Sequence, residues 1–473
     1  MTAADHPQSR LLIPTLILLT TVTGVVSSLG APLVPTIAVE LGVSLGAAQW
    51  TLTASMLAGA VATPLMGRFA VGARRRPVVL GGLLLVVAGT VLAAMAPALA
   101  DISDDLALGL LIAGRVGQGM ALGLAPLAMA VAREILSPER IGPVMAALSV
   151  GTIVGAGLGY PLTAVVAQLG GVAAAFWFGT VLTTATLVLT WRELPCAAPV
   201  PAPRVRTSEA LLLAVATSAL LLGISQTTTW GWTDGRTLGL FVLGGLASAL
   251  WLRLTLCHPD PLVDLRLAFG GAAAAPNITA LLAGAGMYMG LTLLMVLVQV
   301  QTPAGWGLGQ PVAIAGLMLV PYSVMSVLGS RISLWVGRRV DPSRVLPVGC
   351  AIYLLSTVQL MFAHDHVWQA LLSMALAGLG SGSTFATLPV LLVRAVPTAE
   401  TSSALAFNQV LRYIGFSVGS AVGITVLSLV SGPVPNEHGF VAAMAVNAGL
   451  WLLAILVVLG AVSGRRPGRR VTG

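Results

Sequence analysis

Fourteen apolar runs, each near the roughly 20 residues that a helix needs to cross the hydrocarbon of a bilayer, follow one another along this chain. They fall near residues 12–32, 47–67, 77–98, 106–132, 141–168, 173–191, 210–229, 236–256, 276–300, 311–335, 344–363, 367–393, 402–430 and 439–462. The segments left between them are too short for a soluble domain. Composition agrees: 8% of the 473 residues are charged and 57% hydrophobic, whereas a water-facing surface needs about a quarter charged residues. The 54 glycines and 28 prolines suit membrane helices, which tolerate both better than soluble ones do. The first run follows the single Arg10 and lacks a small-residue cleavage site, so it reads as a retained span rather than a signal peptide.

Charge placement fixes an expected topology. All 24 basic residues are arginine. With the N-terminus inside, twenty of them fall in cytoplasmic segments, including Arg68, Arg74, Arg75 and Arg76 after span 2, Arg133 and Arg140 after span 4, Arg204 and Arg206, Arg338 and Arg339, and the tail Arg465–Arg470. Arg236 alone lies in an outer loop, Arg331 sits at an inner span end, and Arg115 and Arg412 lie within spans. The positive-inside rule therefore favours fourteen spans with both termini cytoplasmic. Dropping one span would invert half the loops and erase the bias. The net charge of +8 is thus a signature of topology, and nucleic acid is not expected as a partner.

The cysteines, Cys196, Cys257 and Cys350, are isolated in sequence and suggest neither a disulfide framework nor a zinc site. His364-Asp365-His366 offers two ligands in a loop, which reads as solvated rather than metal-binding. No metal or cofactor is expected.

The longest polar break is Pro195–Thr207, a proline- and alanine-rich connector bearing arginine. It divides the chain into an N-terminal six-helix bundle (1–194), a cytoplasmic linker (195–207), two extra transmembrane helices (208–270) and a C-terminal six-helix bundle with a basic tail (271–473). The two sets of six read as a repeat. Span 4 carries Gly117-Gln118-Gly119 with Pro126 seven residues on, and span 12 carries Gly380-Ser381-Gly382 with Pro389 at the same spacing. Gly151, Gly155 and Gly159 in span 5 match Gly415, Gly419 and Gly423 in span 13. Glycine at every fourth position makes a bare ridge on one helix face, which lets two backbones approach closely inside lipid. Pseudo-symmetric halves of this kind belong to transporters.

Arg115 is the residue most in need of explanation. An arginine at mid-span costs about 2.5–3.5 kcal/mol even on the lenient insertion scale, so it faces a cavity or a partner. Gln118 lies one turn away on the same face, which favours a role in a pathway; the bland alternative is an arginine holding a backbone carbonyl. Arg412 lies beside Asn408 and Gln409 near an inner end, where snorkelling to the interface competes with function. Asn277, Tyr288, Gln299, Gln301, Tyr322 and Asn447 are further embedded or near-embedded polar groups, with no spacing that links them. No Asp or Glu occupies the middle of a span, so the carboxylate relay common in proton-driven carriers is not visible. Paired carboxylates, a GxSxG elbow, HExxH, a Walker loop and a Rossmann fingerprint are also absent, which argues against an enzyme and against a self-contained ATP-driven pump.

Taken together, these residues resemble the major facilitator superfamily, specifically its fourteen-helix drug:proton antiporter branch, over essentially the whole chain. The loop after span 2, Gly67-Arg68-Phe69-Ala70-Val71-Gly72-Ala73-Arg74-Arg75-Arg76, looks like the family's G-x-x-x-D-x-x-G-R-R gating signature, with Val71 in place of its aspartate and Arg74 in place of its second glycine. Span 4 matches R-x-x-Q-G through Arg115, Gln118 and Gly119, a motif the family associates with proton coupling. Span 5, with Gly151, Gly155, Gly157, Gly159, Tyr160 and Pro161, looks like the antiporter motif G-x-x-x-G-P-x-x-G-G with its proline displaced from Ala156 to Pro161. The acidic signature of the branch's first span keeps Pro35, but its aspartate position falls at about Val26. The resemblance implies a monomeric all-α carrier in the bacterial plasma membrane that exports a small amphipathic or hydrophobic compound by alternating access, in exchange for protons. Its partners would be that substrate, protons and the bilayer. An uncoupled facilitator or uptake permease is the first rival, and a membrane-embedded enzyme or sensor the second.

Overall fold

The computed structural model describes residues 11–30, 33–43, 45–100, 102–196, 207–258, 264–300, 306–310, 314, 317–431 and 435–463. Regular structure among them is helical throughout. The helices are α1 (Leu12–Ser28), α2 (Val34–Glu40), α3 (Leu45–Phe69), α4 (Arg75–Met95), α5 (Asp104–Gly119), α6 (Ala121–Ile135), α7 (Pro138–Glu193), α8 (Thr207–Trp230) and α9 (Gly235–Cys257). After these come α10 (Leu265–Ala268), α11 (Ala274–Gln299), α12 (Leu319–Gly337), α13 (Pro342–Phe362), α14 (Val367–Ala395), α15 (Thr401–Ser431) and α16 (Glu437–Ser463).

Each of the fourteen apolar runs overlaps one of these helices. By length and composition, however, eleven of the described helices qualify as membrane spans, with two shorter apolar segments at Leu12–Ser28 and Ser208–Ile224. The runs without a qualifying span are those at 12–32, 47–67 and 210–229, and for the first the reason is length: α1 is only 17 residues long, less than the bilayer's hydrocarbon requires of an untilted helix.

Polar side chains mark where helices begin, because the first N–H groups have no partner inside the helix. Ser103 accepts from the Leu106 N–H at the start of α5 (3.4 Å), Asp234 from Arg236 at α9 (2.8 Å), and Asp341 from Ser343 at α13 (2.8 Å). His366 and Gln369 form a reciprocal capping box on α14. The long α7 is two limbs broken at Gly170 and Gly171, the latter at φ +71°, a left-handed backbone that favours glycine. The Glu40 carboxylate accepts from the Val172 N–H (3.1 Å) and so caps the second limb.

Buried apolar side chains collect in two main clusters. One is drawn chiefly from α1–α7 and the other from α11–α16. The first also takes in Val390, Val393 and Val396 around the end of α14, and Ala404 and Leu405 from the start of α15. The halves are therefore clasped at that end. The α8–α9 hairpin packs on α3 and α15 along one flank, through Ala210, Leu213, Trp251, Phe407 and Leu411. On the opposite flank, the first limb of α7 meets α12 and α14 directly.

Candidate transport path and the interface between the halves

The glycine ridges occupy equivalent places in the two halves. Gly151, Gly155 and Gly159 face α1: a Cβ on Gly155 would overlap the Thr21 carbonyl oxygen, one on Gly159 the Ser28 hydroxyl, and one on Gly151 would come 2.7 Å from Thr20 Oγ1. Gly415 and Gly419 face α11, where a Cβ would overlap the carbonyl oxygens of Leu281 and Ala285; Gly423 abuts the Met289 side chain at 3.0 Å. Each ridge thus packs against the first long helix of its own half. Gly157, on another face of the same limb, points at Ser323 of α12 and lets the two halves touch. Tyr160 and Pro161 lie within the helical backbone of α7, but their side chains fall outside the described residues.

The paired Gly-x-Gly motifs repeat this logic. Gly117 sits against Leu85 and Gly89 of α4 while Gly119 sits against Ser55 and Gly59 of α3; Gly380 sits against Gly349 and Tyr353 of α13 while Gly382 sits against Ser326 of α12. In both halves one helix is wedged between two neighbours at backbone contact. Burying small residues at such crossings replaces the hydrophobic drive that lipid cannot supply.

Arg115 lies in this wedge and is 1% exposed. Its Nε donates to the Thr51 carbonyl of α3 (3.1 Å), and its Nη1 donates to Gln118 Oε1. Gln118 Nε2 in turn donates to the Gly89 carbonyl of α4 at 3.4 Å. The guanidinium also lies where a Cβ on Gly30 would have to be, 2.5 Å from its Nη2. The arginine thereby links three helices and the end of α1. The carbonyl-holding role weighed from sequence is realised, and it coexists with a central position. In the second half the corresponding Gly378 closes directly onto the Tyr322 carbonyl. What one half does with a cation, the other does with a bare backbone.

The arginine-rich end carries the ties between halves. Arg68, 7% exposed, pairs with Glu400 at 3.4 Å. Gly67 brings α3 against Ser402 and Ala406 of α15. Arg133 donates to the Val396 carbonyl (2.9 Å), the Pro397 carbonyl (3.5 Å) and Thr401 Oγ1. Deeper in, Ser149 donates to the Phe385 carbonyl (2.6 Å). Arg75 pairs with Glu134 within its own half and Arg76 donates to the Trp191 carbonyl (2.7 Å), while Arg74 is exposed. With Val71 where the family signature has aspartate, the cross-half connections come from Arg68 and Arg133 instead. Arg68 reaches Glu400 through one contact at 3.4 Å, whereas Arg133 makes three, two of them to carbonyls, so Arg133 should matter more than Arg68. In a background with the native cysteines replaced, Arg133→Ala is expected to raise the maleimide labelling rate of Ser149→Cys by about tenfold, and Arg68→Ala to raise it less. Unchanged labelling in Arg133→Ala would show that the tie does not hold this end closed.

Arg412 points inward. Its guanidinium lies 5.1 Å from the Phe385 ring of α14 and 6.0 Å from that of Phe416, and it donates to Gln409. Among the described residues its Nε has no hydrogen-bond partner. Tyr413 and Tyr288 pack on Phe416, at 5.8 and 4.5 Å between ring centroids. Gln409 donates to the Tyr413 hydroxyl (2.5 Å). Asn408 does something different. It donates to Asn277 (2.8 Å) and the Pro276 carbonyl (3.3 Å), fastening α15 to the start of α11. Sequence spacing could not assemble the aromatic set, since Tyr288, Phe385 and Phe416 come from three different helices. Glu400, the partner of Arg68, lies three residues after Pro397 in the short connection between α14 and α15. Among the described residues no group of three or more His, Cys, Asp or Glu side chains could hold a metal ion.

Two helical halves share equivalent glycine contacts and a tied seam, and eleven of the described helices are long and apolar enough to cross a membrane, which defines a polytopic helical fold. The sequence profile of the Major Facilitator Superfamily matches residues 16–420 and 280–472, and the chain belongs to that family. It is 27% identical over 232 residues to the multidrug resistance protein Stp of Mycobacterium tuberculosis, covering 48% of this chain and 41% of that protein. It is also 27% identical over 291 residues to a triacylglyceride transporter of Mycolicibacterium smegmatis, covering 56% of this chain and 51% of that one. The chain thus spans about half the length of these curated relatives. Among solved structures it is similar in fold to the human organic anion transporter MFSD10 (TM-score 0.65, 16% identity, 96% of this chain and 100% of that one). The proton:xylose symporter XylE is comparably similar (TM-score 0.62, 15% identity, 95% and 94%).

Proposed function

We propose that the chain is a fourteen-span secondary transporter of a bacterial plasma membrane, with both termini cytoplasmic, that exports a small amphipathic or hydrophobic compound by alternating access in exchange for protons. It acts as a monomer on its substrate and protons within the bilayer, as a transporter rather than an enzyme, with no cofactor. The observation that carries this reading is the seam between the halves: Arg68, Gly67, Arg133 and Ser149 join them at one end, and rocking one half against the other would open it. The names of the multidrug and triacylglyceride relatives favour an apolar cargo. The glycine motif of span 5 supports export through its resemblance to the antiporter motif.

Uncoupled facilitation is the second reading, favoured by one observation: among the described residues the buried carboxylate is Glu209, at the first turn of α8 and 4.0 Å from His258, not in the Arg115 wedge. Sealed inverted vesicles separate the two. Uptake of an apolar cation or anion from a drug panel should follow an imposed pH gradient and stop when that gradient is collapsed; uptake that ignores the gradient would leave facilitation. Reporter fusions after Arg76, Arg206 and Arg466 should report cytoplasm, and those after Asp105 and Asp234 the outside. An outside signal at Arg206 would overturn the fourteen-span topology.

A further inference from the structure

A cavity of about 430 Å³ opens in the seam on the flank away from the α8–α9 hairpin, at the arginine-rich end. Its N-half wall is Gly142, Pro143 and Ala146 of α7, and its C-half wall comes from α12, α13 and α14. That size falls within the range of sites for small organic ligands. Leu334, Val345, Ala386 and Val390 give it an apolar interior, Ser333 and Thr387 add hydroxyls, and Arg338 and Arg394 stand at its rim. Both arginines are exposed, and neither forms an ion pair among the described residues.

Two of the lining glycines have no packing reason to be glycine. A Cβ on Gly142 or Gly337 would meet nothing within 4 Å, the opposite of Gly155 or Gly419. Neither has the positive φ that would demand glycine. Their bareness leaves space without permitting helix contact. Anchoring of topology accounts for arginines near the headgroups, but not for a cavity of mixed polarity between two such arginines.

We infer that this cavity is a binding site for an amphiphile with an anionic head, a phosphate or carboxylate, whose head pairs with Arg338 and Arg394 and whose tail lies against Ala146, Leu334, Val345 and Val390. Arginine is the side chain suited to such heads, through its fork of donors, and the rim lies where α12 ends and a lipid-borne head would be found. The hairpin seals the other flank through α8 on α3 and α15, so this is the flank on which a compound in the bilayer can reach the seam. Because the walls belong to different halves, occupancy senses their separation. The role as an entry point rests on the transport function proposed above; the binding site does not.

The test uses the full chain in lipid nanodiscs and a dodecyl phosphate bearing a diazirine on its tail. Photolabelling should map to peptides containing Gly142–Ala146 and Ala386–Arg394. A trimethylammonium-headed probe with the same tail should label them at least about tenfold less, and Arg338→Gln with Arg394→Gln should erase that preference. Gly142→Leu and Gly337→Leu, which add a side chain into open space and raise helix propensity, should fold normally and lose the labelling. Competition by added phosphatidylglycerol assigns the site to a lipid headgroup; persistence of labelling assigns it to a free amphiphile. Equal labelling by the two probes, or wild-type labelling in the leucine variants, would overturn the site. Labelling as expected in a protein that moves no substrate would instead defeat the transport function and leave the site standing.

Discussion

Leucine at Gly155 or at Gly419 is expected to lower transport by at least about a hundredfold while the protein still inserts in the membrane. Overpacking a closed contact costs typically about 1–3 kcal/mol and sometimes more. Here even the first carbon of the new side chain overlaps the carbonyl oxygen of Thr21 or Ala285, and backbone atoms cannot swing aside as a flexible side chain can. The α1–α7 and α11–α15 pairs must then separate, which shifts every group they carry. The matched control is Gly142→Leu, where a Cβ meets nothing within 4 Å: insertion and folding should be as in the wild type. Expression in membranes, thermal stability in detergent and transport rate are measured for all three. Wild-type transport by Gly155→Leu and Gly419→Leu would mean the ridges are not packing faces.

Replacing Arg115 has the second large effect. Arg115→Gln removes a buried charged donor from the Thr51 carbonyl, which keeps only its intrahelical bond, and hydrogen bonds made by a charged group contribute about 1.5–3 kcal/mol. It also releases Gln118 from the chain of contacts that reaches Gly89. Gradient-driven flux should fall at least tenfold, on the order of the same free energy, with substrate binding retained. Arg115→Lys should keep part of the flux, since an ammonium retains the charge but cannot serve Thr51 and Gln118 with a planar fork. Arginine does not itself release a proton at working pH, so a coupling role must act through the groups it holds or through the field it imposes. Binding and flux measured separately in reconstituted protein decide the matter. Gradient-driven flux at the wild-type rate in Arg115→Gln would leave the residue a structural brace only.

Sequence periodicity found the helices because bilayer thickness dictates their length, and it found the glycine ridges because close packing in lipid leaves a four-residue signature. The same logic located Arg115, an expensive residue in an apolar run. It could not supply partners across the fold. That Arg68 meets Glu400 and that Arg133 reaches Val396 depends on how two halves dock, and that Phe385 meets Arg412 depends on how α14 packs against α15; neither has a local spacing. Gly142 and Gly337 show the limit from the other side: in the sequence they look like any glycine of a membrane helix, and only the surrounding space distinguishes an opening from a contact.

The α8–α9 hairpin gives the molecule a spine. It binds α3 of one half and α15 of the other along a single edge, and near its turn the Trp232 indole N–H donates to Thr425 Oγ1 at 2.7 Å. A book bound on one edge opens at the other. The halves of this protein would therefore stay joined through the hairpin even as the ties between α3 and α15 break, while the α7–α12 edge, away from the hairpin, takes most of the lipid rearrangement.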